Sequence, residues 1–384
     1  MKGIKVLVQG REDFLVKPGG DYFSILDKIN DLKLNGVLLE FNSDPTISLE
    51  EYDLVHIQQS ILNTNNVKLQ LNNAIKWNKP VVLKPFYNPE KDGSNYLKNG
   101  QSYLIKILYK IINNYYTYIK IRNMFYLFYN KNYIHGLKQI FTDIKKEQAR
   151  IINNTFIIPD SYFELQCLEE EIVNKVNNFH IVSASLNTSK ELDAVSALLF
   201  KKKYGLTDFV FCVGRIEPLK NQVNLLKTMQ GENIDVVIEG QMQPYHRSYN
   251  KKFKKLIDTN TNFHWIDKID RNMLFSAFKN AHVVALPSWT ETAGMTGLEG
   301  GYYDCNIVAT ERGACKEYFQ DSAWYLDPGN PDSIRLAVLD AYNSPKGCRS
   351  FKKRISSDYS LEKTSLELFN AYQQTIKIFN ERCG

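Results

Sequence analysis

Phe209-Val210-Phe211-Cys212-Val213-Gly214-Arg215-Ile216-Glu217-Pro218-Leu219-Lys220-Asn221 runs from five apolar residues into Gly-Arg and, five residues after the arginine, a lysine. The apolar run reads as a buried strand, the glycine as the turn that ends it, and the lysine as the start of the next helix. The same unit recurs on both sides. Asp235–Glu239 leads into Gly240, His282–Leu286 into Pro287-Ser288, and Asn306–Thr310 follows. Toward the N-terminus, strand-like runs stand at Ile4–Val8, Val37–Phe41, Leu54–Ile57, Pro80–Leu83, Phe156–Ile158 and His180–Val182. Short apolar strands separated by helix-length segments predict parallel, doubly wound sheets, with ligands at the loops that follow the strands.

The chain has 384 residues, 43% apolar and 23% charged, more than one hydrophobic core usually holds. Two Rossmann-like α/β domains are expected, at 1–195 and 205–360, with a C-terminal helix over 361–384 packing back toward the first. No apolar run reaches the roughly 18 residues that would span a bilayer, and Met1–Gly10 reads as a first strand rather than a signal peptide. Cys167, Cys212, Cys305, Cys315, Cys348 and Cys383 form no CxxC pair. Scattered thiols of this kind predict a cytoplasmic protein without a disulfide framework or zinc site. The net charge of +6 is concentrated: Gly93–Phe141 holds Lys98, Lys106, Lys110, Lys120, Arg122, Lys131 and Lys138 and no acidic residue.

Two elements carry chemistry. Arg215 and Lys220, near a helix start that follows Gly214, suit a diphosphate, because helix amides favour anions and arginine binds two phosphate oxygens at once, with a pair of solvated surface cations as the competing reading. Ser288-Trp289-Thr290-Glu291-Thr292-Ala293-Gly294-Met295-Thr296-Gly297-Leu298-Glu299 places two carboxylates eight residues apart around a Gly- and Thr-rich turn. The amides of Gly294, Met295 and Thr296 suit phosphate at the next helix, Glu299 suits ribose hydroxyls, and Glu291 suits sugar hydroxyls. No Asp-x-Asp occurs in the chain, so a metal-bridged diphosphate is not expected; no cofactor is expected either.

Together these elements resemble the retaining glycosyltransferases of the GT-B fold, in the family-four group (glycosyl transferases group 1). The resemblance extends to Pro287-Ser288, Val308-Ala309-Thr310, Gly313, Glu317 and Asp327-Pro328. It implies two Rossmann-like domains facing each other across a cleft, and a nucleotide-diphosphate sugar, UDP- or GDP-linked, as donor substrate. In that scheme Arg215 and Lys220 neutralise the departing diphosphate, Glu291 orients the donor sugar, and the loop near Ile269 borders the base. Pro18-Gly19-Gly20 corresponds to a glycine-rich loop that approaches the diphosphate. The acceptor would be a glycan, free or lipid-linked, as in O-antigen or capsule synthesis.

The acceptor half departs from the family pattern. Lys84-Pro85-Phe86-Tyr87 stands where many relatives have a histidine, Gln58 replaces another, and Ser183-Ala184-Ser185-Leu186 replaces the usual Asn-Gly. His56 is the acceptor-side candidate that is left, with a structural strand-end histidine as the competing reading. The basic island alternates cations with aromatics, among them Tyr103, Tyr109, Tyr115, Tyr116, Tyr118 and Phe125. That composition suits an anionic membrane surface, with a packed helical insertion as the alternative; no nucleic-acid module is present. The departures also leave open a non-catalytic binding or scaffold protein, or a sugar-nucleotide epimerase on the same fold.

Overall fold

The computed structural model describes residues 3–16, 20–62, 64–129, 143–187, 195–347 and 349–383. The chain divides into two compact units. Met1–Pro89, Tyr115–Asn187 and Tyr359–Gly384 form the first; Glu90–Asn114 and Thr188–Asp358 form the second.

The first unit is built on β1 (Ile4–Gln9), β2 (Val37–Phe41), β3 (Leu54–Gln58), β4 (Val81–Lys84) and β5 (Phe156–Ile157), in the order β2-β1-β3-β4-β5. All of its pairings are parallel. Both faces of the sheet are covered, so β3 and β4 are buried along their whole length, which is why they read as continuous apolar runs. The terminal helix Leu361–Cys383 completes this core, burying Leu368, Ala371 and Tyr372 with Val6, Val8 and Val82.

The second unit holds β6 (Phe209–Val213), β7 (Val236–Glu239), β8 (Phe263–Ile266), β9 (Ala281–Leu286), β10 (Asn306–Thr310) and β11 (Ala323–Leu326). Their order is β11-β10-β9-β6-β7-β8, again all parallel. The chain moves outward from β6 through β7 to β8, then returns to the other side of β6 with β9. The crevice beyond the carboxyl ends of β6 and β9 is therefore the topological switch point, where doubly wound sheets bind ligands. Two Rossmann-like parallel-sheet units are therefore present, as the apolar runs predicted.

The basic stretch expected as one insertion of the first domain, at about 93–141, is divided between the units. The helices Glu90–Asn95 and Tyr103–Ile112, with a π-helical turn at Tyr96–Gly100 between them, group with the second unit. Helix Tyr115–Tyr129 groups with the first, and residues 130–142 lie outside the described residues. A left-handed Asn113, at φ +45°, ends the Tyr103 helix at the division. The physical reason is burial. Gly100 packs on Trp289, so closely that a Cβ there would fall 2.4 Å from the indole nitrogen, while Tyr116 packs inside the first unit with its hydroxyl 3.2 Å from that of Tyr87.

Candidate functional site

Both motif elements lie in the loops that leave β6 and β9, the two sides of the switch point. The β6 loop passes through Gly214 and closes in a 3-10 turn, Pro218–Lys220. Asn221 follows in the left-handed region at φ +61°. Its buried side chain donates to the carbonyls of Pro287 and Pro328, each at 3.0 Å, and accepts from Asn224 at 2.8 Å. Trp289 N–H donates to the Leu219 carbonyl at 2.9 Å. These bonds staple the β6 loop to the β9 loop and fix where Lys220 points.

Lys220 Nζ lies 2.7 Å from Glu291 Oε1, and Ser288 Oγ donates to the same oxygen at 2.5 Å. The Lys220 and Glu291 side chains are 27% and 12% exposed, so the pair is sheltered but reachable. Burial works against the ammonium charge, yet the Glu291 carboxylate outweighs it and holds the Lys220 pKa above the usual lysine value. Lys220 therefore keeps its charge at neutral pH.

Glu291 is itself held through its main chain. It pairs with Gly313 in a parallel bridge, and its carbonyl accepts from Ala314 N–H at 3.0 Å. Gly313 sits at φ +75°, and a Cβ there would fall 2.0 Å from the Glu291 carbonyl oxygen, so only glycine allows this approach. Gly294, left-handed at φ +66°, caps the helix Met295–Tyr302. The first amides of that helix, at Met295 and Thr296, have no carbonyl one turn back to bond, which suits them to an anion. Glu299 lies half-buried one turn into the same helix.

The remaining candidates are placed as follows. Arg215 is 65% exposed, with Nη2 at 3.1 Å from Glu217 Oε1, and is not part of the Lys220–Glu291 pair. The Ile269 amide bonds the carboxyl of Glu239 at the end of β7, where burial pushes that carboxyl up. Gly20 opens the helix Gly20–Leu26, at the loop after β1, while Gly19 lies outside the described residues.

His56, the acceptor-side candidate, follows the competing structural reading. It stands third of five in β3 and is 1% exposed, with Nδ1 at 2.8 Å from Tyr372 Oη. Burial, helped by Lys84, lowers its pKa to about 3, so the ring is neutral. A neutral imidazole bonded inside its own unit is a core residue. Lys84, standing where relatives have histidine, is likewise buried and paired with Asp160 at 2.6 Å.

One functional contact left no sign in the sequence. Asp92, on the helix Glu90–Asn95, is 5% exposed, and its Oδ2 accepts from Gly313 N–H at 3.1 Å and Thr290 Oγ1 at 3.4 Å. Arg312 Nη1 is 3.8 Å from Oδ1. Asp92 thus grips both sides of Glu291 from residues about two hundred positions away, and only the Asp and Gly residue types were there to be seen.

Residues 200–358 match the family model described as glycosyl transferases group 1. No curated protein sequence matches the chain. Sucrose-phosphate synthase from Thermosynechococcus elongatus shares its fold with TM-score 0.72 and 12% identity, over 98% of this chain and 100% of that one. Anabaena HepE in complex with UDP-glucose gives 0.65 and 12%, over 97% and 100%. The catalytic domain of Arabidopsis thaliana starch synthase IV, bound to ADP and acarbose, gives 0.65 and 10%, over 98% and 100%. Residues 200–358 thus carry a domain that matches the glycosyl transferases group 1, on a chain whose two-sheet fold is that of these GT-B structures.

Proposed function

We propose that this protein is a retaining, metal-independent hexosyltransferase. It moves a sugar from a UDP- or GDP-linked donor to a glycan acceptor in the synthesis of a bacterial-type surface polysaccharide. The observation that carries this reading is the Lys220–Glu291 pair, 2.7 Å apart, at the switch point and beside the Gly294-capped helix. In the reaction the bond from the anomeric carbon to the diphosphate oxygen breaks, and the acceptor oxygen forms its bond on the same face. The acceptor proton passes to the leaving diphosphate. Charge builds on that diphosphate as the bond breaks, and fixed cations there lower the barrier. Lys220 and the exposed Arg215 supply the cations, and the Met295 and Thr296 amides complete the cradle. Glu291, once Lys220 turns to phosphate, accepts from sugar hydroxyls, and Glu299 accepts from the ribose. HepE with UDP-glucose and starch synthase IV with ADP, both on this fold, support a nucleotide-linked donor here.

A lipid-linked acceptor is supported by the helix Tyr103–Ile112. Tyr103, Leu104 and Ile111 are 77%, 78% and 77% exposed, and Lys106 and Lys110 lie on the same helix. An apolar stripe with lysines beside it suits the interface of an anionic membrane from the cytoplasmic side. No helix among the described residues is long and apolar enough to cross a bilayer.

The test is a panel of UDP- and GDP-sugars, screened by thermal shift and then by release of nucleoside diphosphate in EDTA. One donor is expected to be cleaved with the α- or β-configuration of the donor kept in the product. Nucleotide binding without cleavage of any donor supports the scaffold reading instead.

A further inference from the structure

Outside the donor crevice, the second unit contains a cavity of about 580 Å³. Its walls are the run Asn99–Lys106, Pro218 and Asn221 of the β6 loop, the start of the helix Gln222–Thr228, and the run Tyr245–Tyr249 with Lys252 at the start of the helix Arg247–Asp258, so the cavity borders the loop that carries Lys220. Arg215, Lys220, Glu291 and Glu299 take no part in the lining. Four cations do: Lys106, Lys227, Arg247 and Lys252. No aspartate or glutamate lines the cavity, and none of the four cations forms an ion pair among the described residues. Burial, and then repulsion from Lys252 and Lys227, lowers the pKa of Lys106, so these ammonium groups share one field without a counter-charge. Lys227, Arg247 and Lys252 are exposed, so water screens much of their repulsion, and an anion entering the cavity meets all four cations together.

We infer that this cavity is a second anion site, which takes a phosphate or diphosphate group. The number of cations selects the charge class, since a single carboxylate leaves most of the field uncompensated, whereas a phosphate monoester or diphosphate meets it. Shape favours a compact group over an extended polyanion, because the charges converge on one concavity rather than following a track. The helix Arg247–Asp258 adds its N-terminal turn, whose cap residue His246 makes no side-chain cap bond. Burial lowers the His246 pKa, which leaves its ring neutral, so the site's charge comes from the lysines and Arg247. The group has two possible sources, a lipid headgroup or a free phosphorylated compound. The exposed stripe on the helix Tyr103–Ile112, which also lends Lys106 to the cavity, makes a lipid phosphate the first to try. The inference does not depend on the donor assignment.

The experiment is lysine acylation footprinting of the full chain, read by mass spectrometry, with inorganic pyrophosphate as probe. At a concentration about ten times its Kd, pyrophosphate is expected to slow labelling of Lys106, Lys227 and Lys252 roughly tenfold. Lys110 and Lys203, outside the cavity, are expected to label at an unchanged rate. Lys220 reports the donor crevice separately, so loss of protection there leaves the cavity reading standing. Lys227 and Lys252 are exposed, so Lys227→Glu with Lys252→Glu is expected to fold, and in that variant protection of Lys106 is expected to vanish. Labelling of Lys106 unaffected by millimolar pyrophosphate, or protection that survives in the double variant, overturns the inference. A second arm uses phosphatidylcholine vesicles with and without phosphatidic acid. Protection of the three lysines by pyrophosphate and by phosphatidic acid vesicles, but not by phosphatidylcholine vesicles, assigns the group to a lipid. Protection by pyrophosphate but by neither vesicle assigns it to a free phosphorylated compound.

Discussion

At the residue scale, charge placement explains the candidate site. Lys220 is kept protonated by Glu291 although burial opposes it, and Glu291 is kept in place by Ser288 and by the backbone of Gly313 and Ala314. In the proposed function Glu299 serves a different part of the ligand, the ribose. A ribose contact exists in the ground state as well as the transition state, so it contributes to binding and not to the chemical step. Glu299→Ala is therefore expected to weaken binding of free nucleoside diphosphate by roughly tenfold, the loss of about one charge-assisted hydrogen bond. Calorimetric titration checks it, and an unchanged Kd takes Glu299 out of the nucleotide site. The placement of Lys220 and Glu291 in one crevice was legible because they follow two apolar strand runs. The burial of His56 was not legible, because its partner Tyr372 lies 316 residues away. A histidine at a strand end looks alike in sequence whether it faces ligand or core.

At the element scale, the β6 and β9 loops were legible as strand–turn–helix units, because apolar runs ending in glycine declare themselves locally. The helix Glu90–Asn95 was not legible. It has six residues and two acids in its first turn, and nothing local says that Asp92 bonds Gly313, 221 positions on. Asp92→Ala leaves the Gly313 amide buried without an acceptor, a cost of about 1–3 kcal/mol, and frees the loop that positions Glu291. Turnover is expected to fall with little change in nucleotide Kd. Asp92→Asn keeps an oxygen acceptor for that amide and is expected to recover most of the loss. Steady-state rates for both variants, with melting curves, decide the matter. An asparagine variant as damaged as the alanine variant means that Asp92 does not act through this hydrogen bond.

At the scale of the whole molecule, strand order does what no single motif does: reversal of direction between β6 and β9 brings two loops some seventy residues apart to one crevice. The two-sheet architecture was legible from apolar periodicity, since parallel strands covered on both faces have a plain signature. The division of 90–114 from 115–129 was not, because basic, aromatic helices read alike whichever unit buries them. Stability carries its own signal. Glu164, fully buried beside Asp160, accepts from the amides of Tyr87 and Asp160 at 2.5 and 2.6 Å, and burial raises its pKa to about 8. A carboxyl whose folded pKa lies above its unfolded value stabilises fully below that unfolded value. The contribution is lost as pH rises through about 8. Melting temperature is accordingly expected to fall as pH rises from the ordinary carboxylate range to about 8 and to level off above it, and Glu164→Gln is expected to flatten that fall. A wild-type curve already flat over this range removes the raised pKa from the account.

The central claim is that Lys220 stabilises charge on a departing diphosphate. It is tested most directly by the rate of nucleoside diphosphate release from the preferred sugar donor, wild type against Lys220→Ala. The account predicts that kcat falls by roughly 10²-fold or more, because fixed cations at the developing charge act mainly in the transition state. Some loss of thermal stability is expected, because Glu291, 12% exposed, loses its cation, so the rates are compared at a temperature where melting curves show both proteins folded. A Lys220→Ala enzyme that is folded and releases nucleoside diphosphate at the wild-type rate would contradict the claim.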